Sequence, residues 1–192
     1  MDLTQGTPKQ KNDRSKKMML WIGIGSLIMG FAGLTSAYIV SQKRDDWIQD
    51  LELPSLFMIS TAVIVLSSFT YFFAKKALHA NKRTLCSQLL VVTLGLGIAF
   101  IVLQFYGFGQ FIASGHYVTG PTSNIRVSFV YAIAIFHIFH VIAGIISLTV
   151  VIVQNFKGKY TPDDMLGLEL GATFWHFLDL LWIYLILFMT FV

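Results

Sequence analysis

Five apolar stretches restrict this chain more than anything else in it. They run over about 18–40, 56–73, 85–108, 127–153 and 168–192, and each has 18 or more residues. At about 1.5 Å of rise per residue, a helix of that length crosses a hydrocarbon core of about 30 Å. A soluble bundle would break such runs with polar residues every turn or two to wet its outer face. Only 12% of the 192 residues are charged and 55% are hydrophobic, against a charged share of about 25% in soluble domains. The expected fold is all-α: a polytopic membrane protein with a bundle of five transmembrane helices. The bundle forms one domain over 18–192, behind a polar, basic leader at 1–17.

Charge placement orients the bundle. Lys9, Lys11, Arg14, Lys16 and Lys17 precede the first span, Lys75, Lys76, Lys82 and Arg83 separate the second from the third, and Lys157 and Lys159 separate the fourth from the fifth. Eleven of the 14 basic residues therefore share one side. The other side has Lys43, Arg44 and Arg126, with Asp45, Asp46, Asp50 and Glu52 among them. By the positive-inside rule the N-terminus is cytoplasmic and the C-terminus external. The net charge of +4 reports topology and calls for no nucleic-acid partner.

The first span is too long for a removable signal peptide, whose apolar core is about 7–15 residues. The leader is too polar to build a core, and its start is expected to be flexible. Cys86 is the only cysteine, so no intramolecular disulfide forms. No repeat suggests an inverted-topology transporter. The loops are short, the longest being about 109–126, with Gly115, Gly120 and Pro121.

The helix faces carry two kinds of signal. Gly23, Ser26, Gly30, Gly33 and Ala37 recur in steps of three and four, a small-residue stripe that lets helix backbones approach closely in lipid. His137, His140, Gly144 and Ser147 form a comparable stripe on the fourth span, and Ala172, His176 and Asp179 share a face of the fifth. His140 lies about 20 Å from the end of its span at Val153, and Asp179 about 16 Å from Leu168, so the two can meet on neighbouring antiparallel helices. An ionisable group at that depth needs a partner, which predicts a buried cluster of His137, His140, His176 and Asp179. Three readings of the cluster stay open: interhelical polar bonding, bis-histidine haem ligation by His140 and His176, and a proton or ion relay. His137-x-x-His140 alone supplies two ligands and completes no tetrahedral metal site.

Phe136-His137-Ile138-Phe139-His140-Val141-Ile142-Ala143-Gly144 resembles the F-H-x-x-H-V-x-x-G signature of subunit III of haem–copper oxidases. Glu169-x-Gly171-Ala172 with Trp175-His176-Phe177-x-Asp179-x-x-Trp182 is similar to the last helix of that family. Thr93-Leu94-Gly95-Leu96-Gly97 with Leu103-Gln104 resembles its T-L-G-L…L-Q helix. The order and spacing agree across about 18–192. The five spans resemble the bacterial short form, which starts where the third helix of the seven-helix form would stand.

The resemblance implies a non-redox core subunit of a proton-pumping terminal oxidase, multi-pass in a bacterial cytoplasmic membrane and active in aerobic respiration. It implies direct contact with subunit I, neighbours in subunit II and small accessory subunits, and a possible cytochrome c or quinol-oxidising supercomplex. Haems and copper belong to the partners, and this chain holds no cofactor or metal of its own. Bound phospholipid is expected, with Lys75, Lys76, Lys82 and Arg83 as headgroup contacts. The alternatives are subunit III of a quinol oxidase and, from another class, a haem-b membrane anchor of a dehydrogenase. Two departures from the family pattern bear on mechanism. The glutamate after the first-span serine is Leu27 here, and an acid three residues after Gln104 is Gly107. Both absences argue against a proton path through these five helices.

Overall fold

The computed structural model describes residues 6–48, 51, 53–118, 120, 123–162 and 164–192. Asp50, Glu52, Pro121 and the first five residues of the leader, whose flexibility was expected, lie outside the described residues. Among the described residues five helices follow one another: α1 (Pro8–Ser41), α2 (Ser55–His79), α3 (Arg83–Ala113), α4 (Ile125–Phe156) and α5 (Leu166–Phe191). All five are long and apolar enough to cross a membrane. Among the described residues no strand forms, only an isolated bridge between Thr161 and Asp164.

The helices outrun the apolar stretches because the polar flanks carry good helix signals. At α1 the leader itself is helical from Pro8. Thr7 Oγ1 accepts from the Gln10 amide and Gln10 Oε1 accepts from the Thr7 amide, a reciprocal cap with proline in the first turn. The 34 residues of α1 make a rod about 51 Å long, so its basic first turns stand outside a core of about 30 Å. There Lys9 Nζ reaches Asp164 Oδ2 of the α4–α5 loop at 2.6 Å.

Tight connections set the neighbours. The α2–α3 turn is closed by Asn81 in the left-handed region (φ 57°), a conformation that asparagine tolerates best among side-chain-bearing residues. At the start of α3, Arg83 crosses to the carbonyls of Gly158 and Tyr160 (3.5 and 2.9 Å), tying the two loops at the basic end together. At the other end Arg126 is buried. Its Nε donates to Tyr38 Oη at 2.9 Å, its Nη1 to the Ile48 carbonyl at 3.1 Å, and its guanidinium lies 5.8 Å from the Trp47 ring.

The bundle is uneven. α2 and α3 form the most extensive pair, and α5 packs on α1, α2 and α4. α1 touches only α4 and α5, and buries Ile24, Phe31, Thr35 and Tyr38 on one narrow face. Gly23, Ser26, Gly30, Gly33 and Ala37 are all exposed, on the side turned away from that seam. A Cβ added at Gly23 or Gly33 would meet nothing within 4 Å. The small-residue stripe is therefore not a seam within this chain.

Candidate functional site

α2 bears five serine and threonine hydroxyls on the side it turns to α3 and α5: Ser60, Thr61, Ser67, Ser68 and Thr70. Four of them donate to a carbonyl one turn back on their own helix, at 2.7–2.8 Å. That bond removes the cost of placing a hydroxyl in an apolar helix and leaves the oxygen's lone pairs for other helices. Gln104 Nε2 donates to Ser60 Oγ at 2.8 Å, Trp182 Nε1 to Thr61 Oγ1 at 3.0 Å and Trp175 Nε1 to Ser67 Oγ at 3.0 Å. Thr70 and Thr93 meet hydroxyl to hydroxyl at 2.8 Å. Interhelical bonds of this kind contribute about 0.6–2 kcal/mol each in a membrane.

Asp179 belongs to the same seam. It is 3% exposed and accepts a hydrogen bond from Ser68 Oγ, which also stands 2.9 Å from His176 Nδ1. Ser68 has a single proton. With Ser68 donating that proton to the carboxylate, its oxygen accepts from His176, which donates from Nδ1 and keeps Nε2 as an acceptor.

Trp175 joins the remaining helices. Its indole edge lies so close to α3 that a Cβ at Gly97 would stand 2.6 Å from Cη2. A Cβ at Gly144 of α4 would stand 3.4 Å from Trp175 Cε3 and 2.8 Å from Leu178 Cδ1. With Ser67 holding Nε1, one side chain of α5 thus contacts α2, α3 and α4. The three motifs, distant in sequence, converge on it.

His137 occupies a second junction, between Trp182 of α5 and Phe31 of α1. It is fully buried, stacks on Trp182 (centroids 5.1 Å, planes 25° apart) and meets the edges of Phe31 and Phe100 at 6.2 and 6.1 Å. Neither ring nitrogen has a hydrogen-bond partner among the described residues. His140 is half-buried at the bundle surface, with Nδ1 2.7 Å from its own helix's Phe136 carbonyl and its ring against Phe31. The expected single cluster is thus divided. His176 and Asp179 come together, but through Ser68 of α2. His137 and His140 face α1 and the aromatic core. The reason is packing: α2, rather than the histidine face of α4, lies against the Asp179 face of α5. Among the described residues no three histidines, cysteines or carboxylates gather as a metal-ligand set.

At the basic end, Lys75 Nζ lies 3.3 Å from Glu169 Oε1 across the α2–α5 seam. Lys76 and Lys82 are exposed, while Arg83 is occupied by the loop carbonyls. Gly107, where the family pattern expects an acid, lies against the Phe57 ring with no room for a side chain. Outside the spans, the Arg44 guanidinium bonded to Asp46 at 2.9 Å holds that carboxyl below its ordinary range. Burial pushes the Tyr160 phenol up.

Sequence reasoning passed over the α2 hydroxyls, Phe57 and the Arg126–Tyr38 bond. The hydroxyls did leave a signal, since Ser60-Thr61 and Ser67-Ser68 repeat at seven residues inside an apolar run.

Comparison with known proteins agrees with the motif reading. A sequence model of cytochrome c oxidase subunit III matches residues 45–192. Cytochrome c oxidase subunit 3 of Oryctolagus cuniculus is 33% identical over 137 residues, 70% of this chain and 48% of that protein. Cytochrome bo(3) ubiquinol oxidase subunit 3 of Pseudomonas putida is 33% identical over 125 residues, 65% of this chain and 59% of that one. Its Pseudomonas aeruginosa counterpart is 32% identical over 132 residues, 69% and 61% respectively. The chain thus spans about half to three-fifths of the length of these curated relatives.

Proposed function

The chain belongs to the cytochrome c oxidase subunit III family, and from that membership we propose that it is a non-redox structural subunit of an oxygen-reducing, proton-pumping terminal oxidase. In this reading it sits in a bacterial cytoplasmic membrane with its basic end in the cytoplasm. It packs directly on the catalytic subunit I, with subunit II and small accessory subunits nearby, while haems and copper reside in those partners.

The observation that carries this reading is the convergence of the three motifs on Trp175. Gly97, Gly144 and the Ser67-bound indole do packing work, and Trp182, Gln104 and Thr93 use their polar atoms to bond α2. A subunit whose characteristic residues lock its own helices together is a scaffold for its neighbours. Phe57 closing the space at Gly107 supports the same reading, because a proton path would need polar groups where an aromatic ring now packs.

The quinol oxidase alternative is favoured by one observation: the bacterial relatives named above carry the name ubiquinol oxidase subunit 3. Identification of the chains that co-purify in mild detergent separates the two. Bound phospholipid is part of the proposal, with headgroups meeting Lys76 and Lys82 at the basic end and Lys75 and Arg83 nearby. The outward stripe from Gly23 to Ala37 would receive a helix from another chain.

The test is oxygen uptake by complexes with and without this subunit, followed from the first turnovers, with haem content measured in both. The initial rate should survive its removal and the active lifetime should shorten. Complete loss of the initial rate with the haems in place contradicts the scaffold role. Loss of a haem together with this chain revives the haem-b anchor.

A further inference from the structure

Most of the outer surface of the bundle is what lipid would accept. The exposed side of α3, for example, presents Ile98, Val102 and Phe105. The groove between α2 and α5 is different. It encloses about 380 Å³ and is lined by Phe72, Lys75, Glu169, Thr173 and His176. Lys75 and Glu169 pair near its basic end, where water and headgroups reach.

His176 lies deeper. It is ten residues into α5, about 15 Å along the axis, and Ser68 is at a matching depth on α2, about 16 Å from His79. The imidazole is half-buried, so part of it faces out of the bundle. Nδ1 is taken by Ser68, and Nε2 has no hydrogen-bond partner among the described residues. Facing hydrocarbon, that nitrogen would be left without a partner, a costly state for a polar atom. Ionisable groups at this depth face protein or water, and a lipid headgroup stays about three turns away.

We infer that the α2–α5 groove is an interface in the assembled oxidase: a transmembrane helix of another oxidase subunit lies along it and hydrogen-bonds His176 Nε2 with a polar side chain. The inference rests on the family reading, which supplies the partner. It also gives the Asp179–Ser68–His176 chain a purpose. The carboxylate and hydroxyl hold the imidazole at the groove wall with Nε2 turned to the neighbour.

The test uses the intact complex, with a photoreactive benzoylphenylalanine placed at Phe72 or Thr173 in the groove and at Ile98 or Val102 on α3 as controls. Groove positions should form adducts with another oxidase chain at least fivefold more often than the controls. Two substitutions separate a docking role from a folding one. Asparagine mimics Nδ1, so His176→Asn keeps the Ser68 bond but loses the outward group, and retention of the subunit should fall severalfold. Glutamine reaches the Nε2 position, so His176→Gln should restore retention. Adducts only with phospholipid, in a complex whose other chains are present, overturn the groove interface and leave the family reading standing. Equal retention of the Asn and Gln variants also overturns it. Absence of every other oxidase chain from the purified material overturns both.

Discussion

Replacing Gly97 with alanine should destabilise the bundle, although alanine is the better helix former. The added methyl would stand 2.6 Å from Trp175 Cη2 and 3.0 Å from Cζ2. Carbon atoms rest at about 3.5–4.0 Å, so the indole or α3 has to give by about 1 Å. The ring is poorly placed to give, because its Nε1 is held by Ser67 at 3.0 Å and its far edge packs against Gly144. Overpacking of this kind costs about 1–3 kcal/mol, and releasing the Ser67 bond adds about 1 kcal/mol. Against this, exchanging helical glycine for alanine gains about 1 kcal/mol. The packing cost wins, with a net loss of about 2 kcal/mol. In a chain of this size that lowers Tm by about 4–8 °C. The assay is thermal unfolding in mild detergent, followed by circular dichroism and tryptophan fluorescence. Gly95→Ala is the control: nothing lies within 4 Å of its Cβ position, so Tm should stay level or rise. Trp175→Phe removes the obstructing ring edge, and in that background Gly97→Ala should cost little, a coupling of about 1–3 kcal/mol. The reasoning is refuted if Gly97→Ala is neutral, or if it costs as much with phenylalanine at 175 as with tryptophan.

The other predictions concern the seam and the exposed ion pair. Asp179→Leu should lose about 1–3 kcal/mol by removing the acceptor of the Ser68 proton, and Asp179→Asn, which keeps an acceptor for Ser68, should lose clearly less in the same melts. Gly107→Glu, which restores the acid of the family pattern, should prevent folding beside Phe57 but be tolerated with Phe57→Ala, as read from the yield of folded protein in membranes. Asp46 has its carboxyl held low by Arg44, so whatever stability the pair adds is present above the ordinary carboxylate range and is lost as pH falls through the lowered value. Both groups are exposed, so the effect is small. It should appear as a slight acid-side loss of Tm that Asp46→Asn removes.

How far the sequence could be read depended on which interactions repeat along the chain. Five spans were legible because crossing a hydrocarbon core demands a continuous run, and a run is visible residue by residue. The motifs around His137, Trp175 and Asp179 were legible as chemistry too costly to place in lipid without partners. The partners themselves were not. Serine and threonine satisfy themselves on their own helix and so look neutral in an apolar stretch, which hid the role of α2 as the acceptor for Gln104, Trp182 and Trp175 and as the donor to Asp179. Arg126 read as a topology charge, yet it is buried against Tyr38 and Trp47 because the end of α1 and the start of α4 meet there.

Length, apolarity and charge bias by themselves determined that this chain makes five helices of membrane-crossing length, since those properties act locally and add along the backbone. The tertiary structure alone decided which helix answers which polar group. That choice depends on how rigid rods rotate and stack. The Trp175 indole of α5 reaches Ser67 of α2 with Gly97 of α3 and Gly144 of α4 leaving it room, and no single stretch of sequence contains that geometry.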